Sequence, residues 1–315
     1  MIYTVKGPIK QKEMGITLSH EHFKWEYDED LALSMYYEKR YDDEANEKFY
    51  ERLLPIMMSL KKAKCRAVVE TSPPIGGQNL RLLKKLSETT DIHIIPCTGM
   101  NITKYAIELF PKEFSNQLAD RWINDFNLGL DTIDNILIRP GYIKLLLDNG
   151  KLSVIDREML RAAVKASNAT GMPIHCHIFA SEMVEHVIDL VKKENMDLSK
   201  FLWAHGDYES NISAIVDAIK AGIWVGIDQI RSETHQQRCD LIKTLINKKV
   251  EGHLLLSQDY DFYEMSANKE GIKNSTSLLN EFIPYCIEQG IESSKLIEML
   301  SKNPSIFYNI GENEI

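Results

Sequence analysis

The 315-residue sequence lacks the features that define several protein classes. Its 37 Lys and Arg are outnumbered by 46 Asp and Glu, and the net charge of −9 argues against a protein that binds nucleic-acid backbones through clustered basic residues. No apolar run approaches the roughly 18 residues of a membrane span, and the first residues contain no apolar core typical of a signal peptide. We therefore expect a cytoplasmic protein with a small-molecule substrate and neither a nucleic acid nor a membrane as partner.

Cysteine pairing and the common cofactor motifs are also missing. The five cysteines are odd in number and show no CxxC spacing, which argues against a disulfide framework and favours a reducing compartment. The sequence contains no HExxH motif and no GxGxxG after its first strand, so neither a zincin protease nor a dinucleotide-binding fold is expected.

What the sequence does contain is a regular alternation of short apolar runs and amphipathic segments. Eight runs rich in apolar or β-branched residues are predicted to be strands: 16–20, 66–71, 92–99, 142–147, 173–177, 201–206, 223–228 and 253–259. The clearest predicted helices are 157–170, 182–194, 210–221 and 234–248, and a last helix is predicted over 293–308, ended or kinked by Pro304.

Eight strands that alternate with helices predict an α/β fold, a (β/α)8 TIM barrel formed by residues 1–315 as a single domain. Long connections follow strand 1 (23–64) and strand 3 (100–140). A doubly wound open sheet is the alternative, but it would not need all eight strands.

Polar residues cluster where these strands end, at the side of a barrel that carries active sites. Strand 1 ends in His20-Glu21-His22, and residues i and i+2 of a strand point the same way, so both imidazoles can face one metal ion. Two hydrogen-bonded structural histidines are the alternative. Five of the nine histidines lie at such ends, together with one aspartate: His20, His22, His175, His177, His205 and Asp259. The remaining four are interpreted as surface or structural residues.

Lys144 lies inside strand 4 among apolar residues, where an unpaired ammonium is costly. It could form a Schiff base, extend outward to solvent, or be carboxylated to a carbamate that bridges two metals. The histidines on strands 1, 5 and 6 favour the metal bridge.

These motifs resemble the phosphotriesterase-related family of the amidohydrolase superfamily. The resemblance rests on Gly15–His22, the Gly-Tyr-Ile-Lys of strand 4, 169–177, Ala204-His205-Gly206 and Leu256–Asp259. It implies a binuclear centre in which His20, His22 and Asp259 hold the more buried metal and His177 and His205 the more exposed one. Carboxylated Lys144 and a hydroxide would bridge them, while His175 would orient a ligand or pack.

The resemblance also implies a metal-dependent hydrolase in which the bridging hydroxide attacks the substrate and Asp259 moves the proton. Asp261 is the alternative proton carrier. Zn²⁺ is the expected metal, with Mn²⁺ or Co²⁺ able to substitute. Relatives are often dimers, so a homodimer is a further expectation.

The expected substrate depends on positions around the metals. Organophosphate-degrading relatives carry a His–Asp proton shuttle, where this chain has Gln229 and Tyr208. Lactonase relatives carry an Arg at the Gln229 position, whereas here Arg231 follows two residues later, and their Tyr after Thr-Gly is matched by no nearer residue than Tyr105. We predict a lactonase, with Arg231, Gln229 and Tyr208 as substrate-binding residues and a phosphorylated sugar lactone as one form of substrate. A phosphotriesterase or phosphoesterase, an amidase, and a non-catalytic metal-binding barrel are the alternatives.

Overall fold

The computed structural model describes residues 1–28, 42–100, 113–147, 151–179 and 181–311. In these ranges the strands are β1 (Ile2–Thr4), β2 (Gly7–Ile9), β3 (Thr17–Glu21), β4 (Ala67–Glu70), β5 (His93–Ile95), β6 (Cys97–Met100), β7 (Asp131–Ile133), β8 (Ile136–Ile138), β9 (Tyr142–Leu146), β10 (Ile174–His177), β11 (Phe201–Ala204), β12 (Trp224–Ile227) and β13 (Leu254–Leu256).

The helices alternate with these strands. They are α1 (Gln11–Met14), α2 (Asp43–Lys62), α3 (Leu80–Thr90), α4 (Phe114–Asn127), α5 (Val154–Thr170), α6 (Ser181–Lys193), α7 (Ile212–Ala221), α8 (His235–Asn247), α9 (Phe262–Met265), α10 (Lys269–Asn274), α11 (Ile283–Glu288), α12 (Ser293–Leu300) and α13 (Lys302–Phe307). A π-helical turn, Leu278–Phe282, leads into α11.

The strands form a (β/α)8 barrel, as the alternation predicts. One parallel sheet has the order β13-β12-β11-β10-β9-β6 and a second has the order β3-β4-β5. The third predicted strand is divided at Pro96, because proline has no N–H to donate to a ladder. Its first part, β5, pairs with β4, and its second part, β6, pairs with β9, so this one strand joins the two sheets.

Contacts between β3 and the chain after β13 bring the remaining edges together. The amide of Asp259 donates to the carbonyl of His20 at 3.1 Å, and the amide of His22 donates to the carbonyl of Tyr260 at 2.8 Å. The hydroxyl of Ser19 donates to the carbonyl of Leu256 at 3.0 Å. These bonds place the carboxyl ends of the first and last barrel strands side by side.

The helices lie outside the strands and are bounded by local sequence signals. For α5, the Ser153 hydroxyl accepts from the Asp156 amide and the Asp156 carboxylate accepts from the Ser153 amide, a reciprocal capping box. The helix ends at Gly171, whose φ of 78° is left-handed. The long connections carry α2 after β3, and α4 with the β7–β8 hairpin after β6.

The predicted last helix is two helices. The chain leaves helical geometry at Ser301, between α12 and α13, and Pro304 lies inside α13 rather than at the break. The physical reason is that a proline ring clashes with the carbonyl four residues earlier, here Leu300, which is where α12 ends.

In the part of the chain that the structure describes, no helix combines the length and the hydrophobicity needed to cross a membrane. The five cysteines are buried and free of disulfide bonds.

Candidate metal centre

His20 and His22 converge with Asp259 at the carboxyl end of the barrel. The Nε2 atoms of the two histidines lie 3.4 and 3.5 Å from Oδ1 of Asp259. The ligand atoms of the three residues all lie within 4.8 Å of one another, close enough to hold one cation. The sequence prediction that these three side chains meet is therefore reproduced in the geometry.

Lys144 points into the same space from β9. Its side chain is 2% exposed and its Nζ lies 3.2 Å from Nε2 of His20, so the alternative in which Lys144 extends to solvent is wrong. Burial lowers the pKa of Lys144, opposed by the charges of Asp259 and Asp228. A lowered pKa makes the neutral amine accessible, which carbamate and Schiff-base chemistry both require.

The backbone of β6 approaches Lys144 closely. A side chain at Gly99 would place its Cβ 2.0 Å from the Lys144 carbonyl oxygen, and Gly99 has a φ of 123°. Only glycine fits this position without moving β9.

His177 and His205 form a second imidazole pair beside the first. Their ring centroids lie 4.2 Å apart, and that of His205 lies 4.7 Å from that of His20. His205 is buried, yet neither of its ring nitrogens has a hydrogen-bond partner among the described residues. A buried imidazole without partners is costly, and a metal ion is the partner that this donor set fits.

The imidazoles are held uncharged by their surroundings. Burial lowers the pKa of His20, His177 and His205, and the neighbouring Lys144 lowers it further for each. Neutral imidazole is the form that binds metals. Burial opposes ionisation of Asp259, but the surrounding imidazoles hold its pKa well below the usual value. The cluster thus offers neutral nitrogens and an anionic oxygen.

Two of these residues have unusual backbone conformations. Asp259 and His205 both lie in the left-handed region, with φ of 53° and 65°. Non-glycine residues adopt it at a cost, and such residues concentrate at functional sites. His205 directly follows β11 and Asp259 lies three residues after β13, so both turns occur at the carboxyl end of the barrel.

The three residues predicted to contact substrate lie in different settings. Gln229 is buried and donates from its side-chain amide to Oδ2 of Asp259 at 2.6 Å. Arg231 donates from Nη2 to the Asp259 carbonyl at 3.1 Å, and its guanidinium lies 5.2 Å from the ring centroid of Tyr260. Tyr208 is 53% exposed. Gln229 and Arg231 thus contact Asp259, and Tyr208 faces solvent.

A cavity of about 300 Å³ lies above the cluster. It is lined by His22, Trp25, Tyr27, Lys144, Leu146, His177, Asp259 and Asp261. Tyr105, which the sequence comparison with lactonase relatives singles out after strand 3, lies outside the described residues. Asp261 accepts from the Trp25 amide at 3.0 Å and caps α9, so its carboxylate supports the loops rather than the cluster.

Two buried residues beside the cluster, Asp228 and Ser72, are not among the site residues predicted from the sequence. Asp228 accepts from the His205 amide at 2.8 Å and lies 3.4 Å from Nδ1 of His20. The Ser72 hydroxyl contacts Nδ1 of His22 at 2.9 Å. Asp228 follows β12 directly, so the strand-end rule could have found it, whereas no sequence signal marks Ser72.

Comparison with known proteins shows which family the chain belongs to. The sequence profile of the phosphotriesterase family matches residues 1–308. The chain belongs to the phosphotriesterase family. Enzymes of this family are binuclear metal hydrolases, so the chain is a metal-dependent hydrolase of phosphotriesterase type.

Relatives and solved structures share almost the whole chain at low identity. A phosphotriesterase homology protein of Escherichia coli is 25% identical over 93% of this chain and 98% of its own. An N-acetyltaurine hydrolase of Xenopus tropicalis is 22% identical over 96% of each chain. A mutant PTE-like lactonase of Deinococcus radiodurans superposes with a TM-score of 0.84 and 20% identity, covering 98% of this chain and 100% of its own. At that identity, the last likeness shows the fold alone.

Proposed function

We propose that this phosphotriesterase-family hydrolase uses a binuclear centre to open a lactone ring. One observation carries the proposal: His205 is buried and neither of its ring nitrogens has a hydrogen-bond partner among the described residues, beside three further imidazoles, a buried lysine and an ionised aspartate. A cluster of this kind is poorly satisfied by the protein alone, and a pair of cations would satisfy it.

The donor set divides into two groups. His20, His22 and Asp259 would hold one metal, and His177 and His205 the second, with Lys144 as a carbamate between them. Imidazole nitrogens with carboxylate and carbamate oxygens suit Zn²⁺, and Mn²⁺ or Co²⁺ can replace it. When bound, two such cations lower the pKa of a shared water and polarise the scissile bond.

We infer that Asp259 transfers the proton of the attacking water. Its Oδ1 faces the two imidazoles of the first group, while its Oδ2 is held by the amide of Gln229. A carboxylate held in this way can accept a proton from the attacking water and return it to the leaving oxygen of the ester.

Gln229 favours a lactone over a phosphotriester. An amide cannot take up a proton from Asp259 and release it to solvent, and Gln229 occupies the position of the shuttle histidine of organophosphate-degrading relatives. In a lactone the leaving oxygen stays attached to the product, beside Asp259, so no such relay is needed.

Amide hydrolysis is the second candidate. The N-acetyltaurine hydrolase relative cleaves an amide by its name, and its match covers 96% of this chain at 22% identity. The same Asp259 would have to protonate an amine leaving group, which is a harder demand than protonating an alkoxide.

A phosphorylated lactone is a narrower form of the proposal and depends on Arg231. The Nε of this residue is buried and has no hydrogen-bond partner among the described residues. Its substitution by alanine should lower kcat/KM for phosphorylated lactones only. Equal kcat/KM of wild type and Arg231→Ala for every phosphorylated lactone would refute this form.

The deciding experiment is a parallel assay of lactones, carboxamides and phosphotriesters with Zn²⁺, Mn²⁺ or Co²⁺ present. We expect the largest kcat/KM for a lactone and its loss in Asp259→Asn, at unchanged thermal stability. A larger kcat/KM for an amide or a phosphotriester would overturn the assignment of substrate class. Metal analysis of protein prepared with bicarbonate should give two metals per chain.

A further inference from the structure

A chain of three buried side chains leads from the C-terminal end of the described fold to the first candidate ligand. The Tyr308 hydroxyl lies 3.1 Å from the carbonyl oxygen of Ser19 and 3.0 Å from Nδ1 of His175. The other nitrogen of His175, Nε2, lies 3.0 Å from Nδ1 of His20. His175, Tyr308 and His20 are all 1% exposed or less.

The direction of each hydrogen bond follows from the first contact. A carbonyl oxygen only accepts, so the bond between the oxygens of Tyr308 and Ser19 uses the phenolic proton. The Tyr308 oxygen can then only accept from His175, whose Nδ1 must carry a proton. An uncharged His175 has no proton left for Nε2, which therefore accepts from Nδ1 of His20.

The surroundings of His20 agree with this direction on both sides of its ring. The Asp228 carboxylate, an acceptor, lies 3.4 Å from Nδ1. On the opposite side, the donor group Nζ of Lys144 lies 3.2 Å from Nε2, closer than the acceptor Oδ1 of Asp259 at 3.4 Å. The contacts with Asp228 and Lys144 favour a proton on Nδ1 and a lone pair on Nε2.

We propose that Tyr308 and His175 act as positioning residues that fix His20 in the Nδ1–H tautomer and direct its Nε2 lone pair to the metal centre. Partners on the outer nitrogen commonly set the tautomer and orientation of a ligating histidine, usually through a carboxylate or a carbonyl. In this chain a second histidine has that role, and a tyrosine directs it. The inference rests on the proposed metal centre for its consequence, but its tautomer claim concerns the metal-free protein.

The tautomers can be read directly. In metal-free protein labelled with ¹⁵N-histidine, two-bond ¹H–¹⁵N correlations distinguish a protonated from an unprotonated ring nitrogen, and single-histidine substitutions assign the signals. We expect protonated Nδ1 and unprotonated Nε2 for both His20 and His175. A protonated Nε2 on His20 would overturn the proposal whether or not variants at Tyr308 fold.

Metal affinity tests the consequence. Tyr308→Phe keeps the ring and removes the hydroxyl. Tyr142→Phe is its matched control, because Tyr142 is also buried, with its ring centroid 5.4 Å from that of Tyr308, but its hydroxyl donates to the Glu70 carbonyl. We expect Tyr308→Phe to bind Zn²⁺ about 10-fold more weakly in a chelator competition, within the range seen for such outer partners. Tyr142→Phe should bind as wild type. Equal losses in both variants would show a packing effect and overturn the proposal.

A second pair of variants separates hydrogen bonding from volume at position 175. His175→Gln keeps an oxygen that can accept from His20, whereas His175→Met fills similar space without one. We expect Zn²⁺ affinity near wild type for His175→Gln and 10- to 100-fold weaker for His175→Met. Equal affinities would contradict the inference. A wild type that binds no metal would refute the proposed function, while the ¹⁵N measurement would still decide the tautomer.

Discussion

The surroundings of Lys144 are unfavourable for an ammonium group. The side chain is buried and its Nζ contacts an uncharged imidazole, while no carboxylate of the described residues lies within salt-bridge distance of that Nζ. Carboxylation would convert it into an anion that two cations can share. A Schiff-base lysine would need the same lowered pKa, but it would not need four imidazoles around it.

Substitution of Lys144 by alanine should therefore remove metals and activity together. We expect fewer than two metals per chain and a fall in kcat/KM of more than about 100-fold, both restored in part by millimolar propionate, whose carboxylate can occupy the vacated space. Elemental analysis and lactone assays provide the measurements. Lys84→Ala is the matched control, because Lys84 is also buried but pairs with Glu88 and Asp134. Retention of two metals in Lys144→Ala would contradict the bridge.

Substitution of Gln229 tests whether its amide keeps Asp259 ionised, since this amide donates to the Asp259 carboxylate. Gln229→Leu removes this donor, which disfavours the carboxylate and raises the pKa of Asp259. The acidic limb of the kcat/KM profile should move to higher pH, and kcat should fall about 10-fold. Asn303→Leu, which removes a buried amide that donates to the carbonyls of Glu251 and Leu254 at the start of β13, should leave the profile unchanged. An unshifted limb in Gln229→Leu would show that its amide does not support the carboxylate.

Among the elements, the eight barrel strands could be predicted because each is a short apolar run and most of these runs end in polar residues. The same rule brought His20, His22, His177, His205 and Asp259 together, since parallel strands place their carboxyl ends at one side of the barrel. The rule is silent on side-chain partners. Gln229 and Arg231 contact Asp259 instead of pointing freely at a substrate. These contacts depend on side-chain rotamers and on the geometry of loops after two different strands, which the pattern of a single strand does not encode.

The close approach of β6 and β9 is an element-scale feature with a measurable consequence. Gly99→Ala would force its Cβ into the Lys144 carbonyl at a left-handed φ, so we expect a loss of about 3 kcal/mol in the free energy of unfolding and a loss of bound metal. Gly7→Ala is the matched control, with a φ of 100° but nothing within 4 Å of the added Cβ. Urea denaturation of both variants measures the difference. Equal losses would mean that backbone strain, not the strand contact, dominates.

At the scale of the whole molecule, three buried carboxyl groups near the candidate metal centre affect how stability depends on pH. Burial raises the pKa of Glu21 to about 8, and that of Glu70 and of Asp228 each to about 7. Their values in an unfolded chain lie near 4. Between the pKa of these groups in the unfolded chain and their pKa in the folded protein, the folded protein holds more protons. The free energy of unfolding therefore falls as the pH rises through this range. The lowered pKa of Lys144 has the opposite effect on stability, because the unfolded chain can hold at most one more proton than the folded protein at this residue.

The buried imidazoles limit the pH range in which this effect is visible. Because the pKa values of these imidazoles are lowered in the folded protein, the unfolded chain binds more protons at its histidines than the folded protein does below about pH 6.5. In that range the histidines make the free energy of unfolding rise with pH, which offsets the fall caused by the carboxyl groups. Above about pH 6.5 the imidazoles are neutral in both states and contribute no slope. From about pH 6.5 to about 8 the three carboxyl groups remain as the dominant influence.

The metal-free protein should therefore lose thermal stability as the pH rises through this window, whereas most proteins change little there. The measurement is Tm after EDTA treatment at intervals between pH 6.5 and 8. Glu21→Gln should flatten the dependence, because Glu21 has the highest of the three pKa values and loses its proton last; Glu288→Gln, at an exposed acid, should not. Saturating Zn²⁺ should oppose the loss, because deprotonated ligands bind the cation more strongly as the pH rises. A Tm of the metal-free protein that rises with pH across the window would show that these carboxyl groups are already ionised in the folded state.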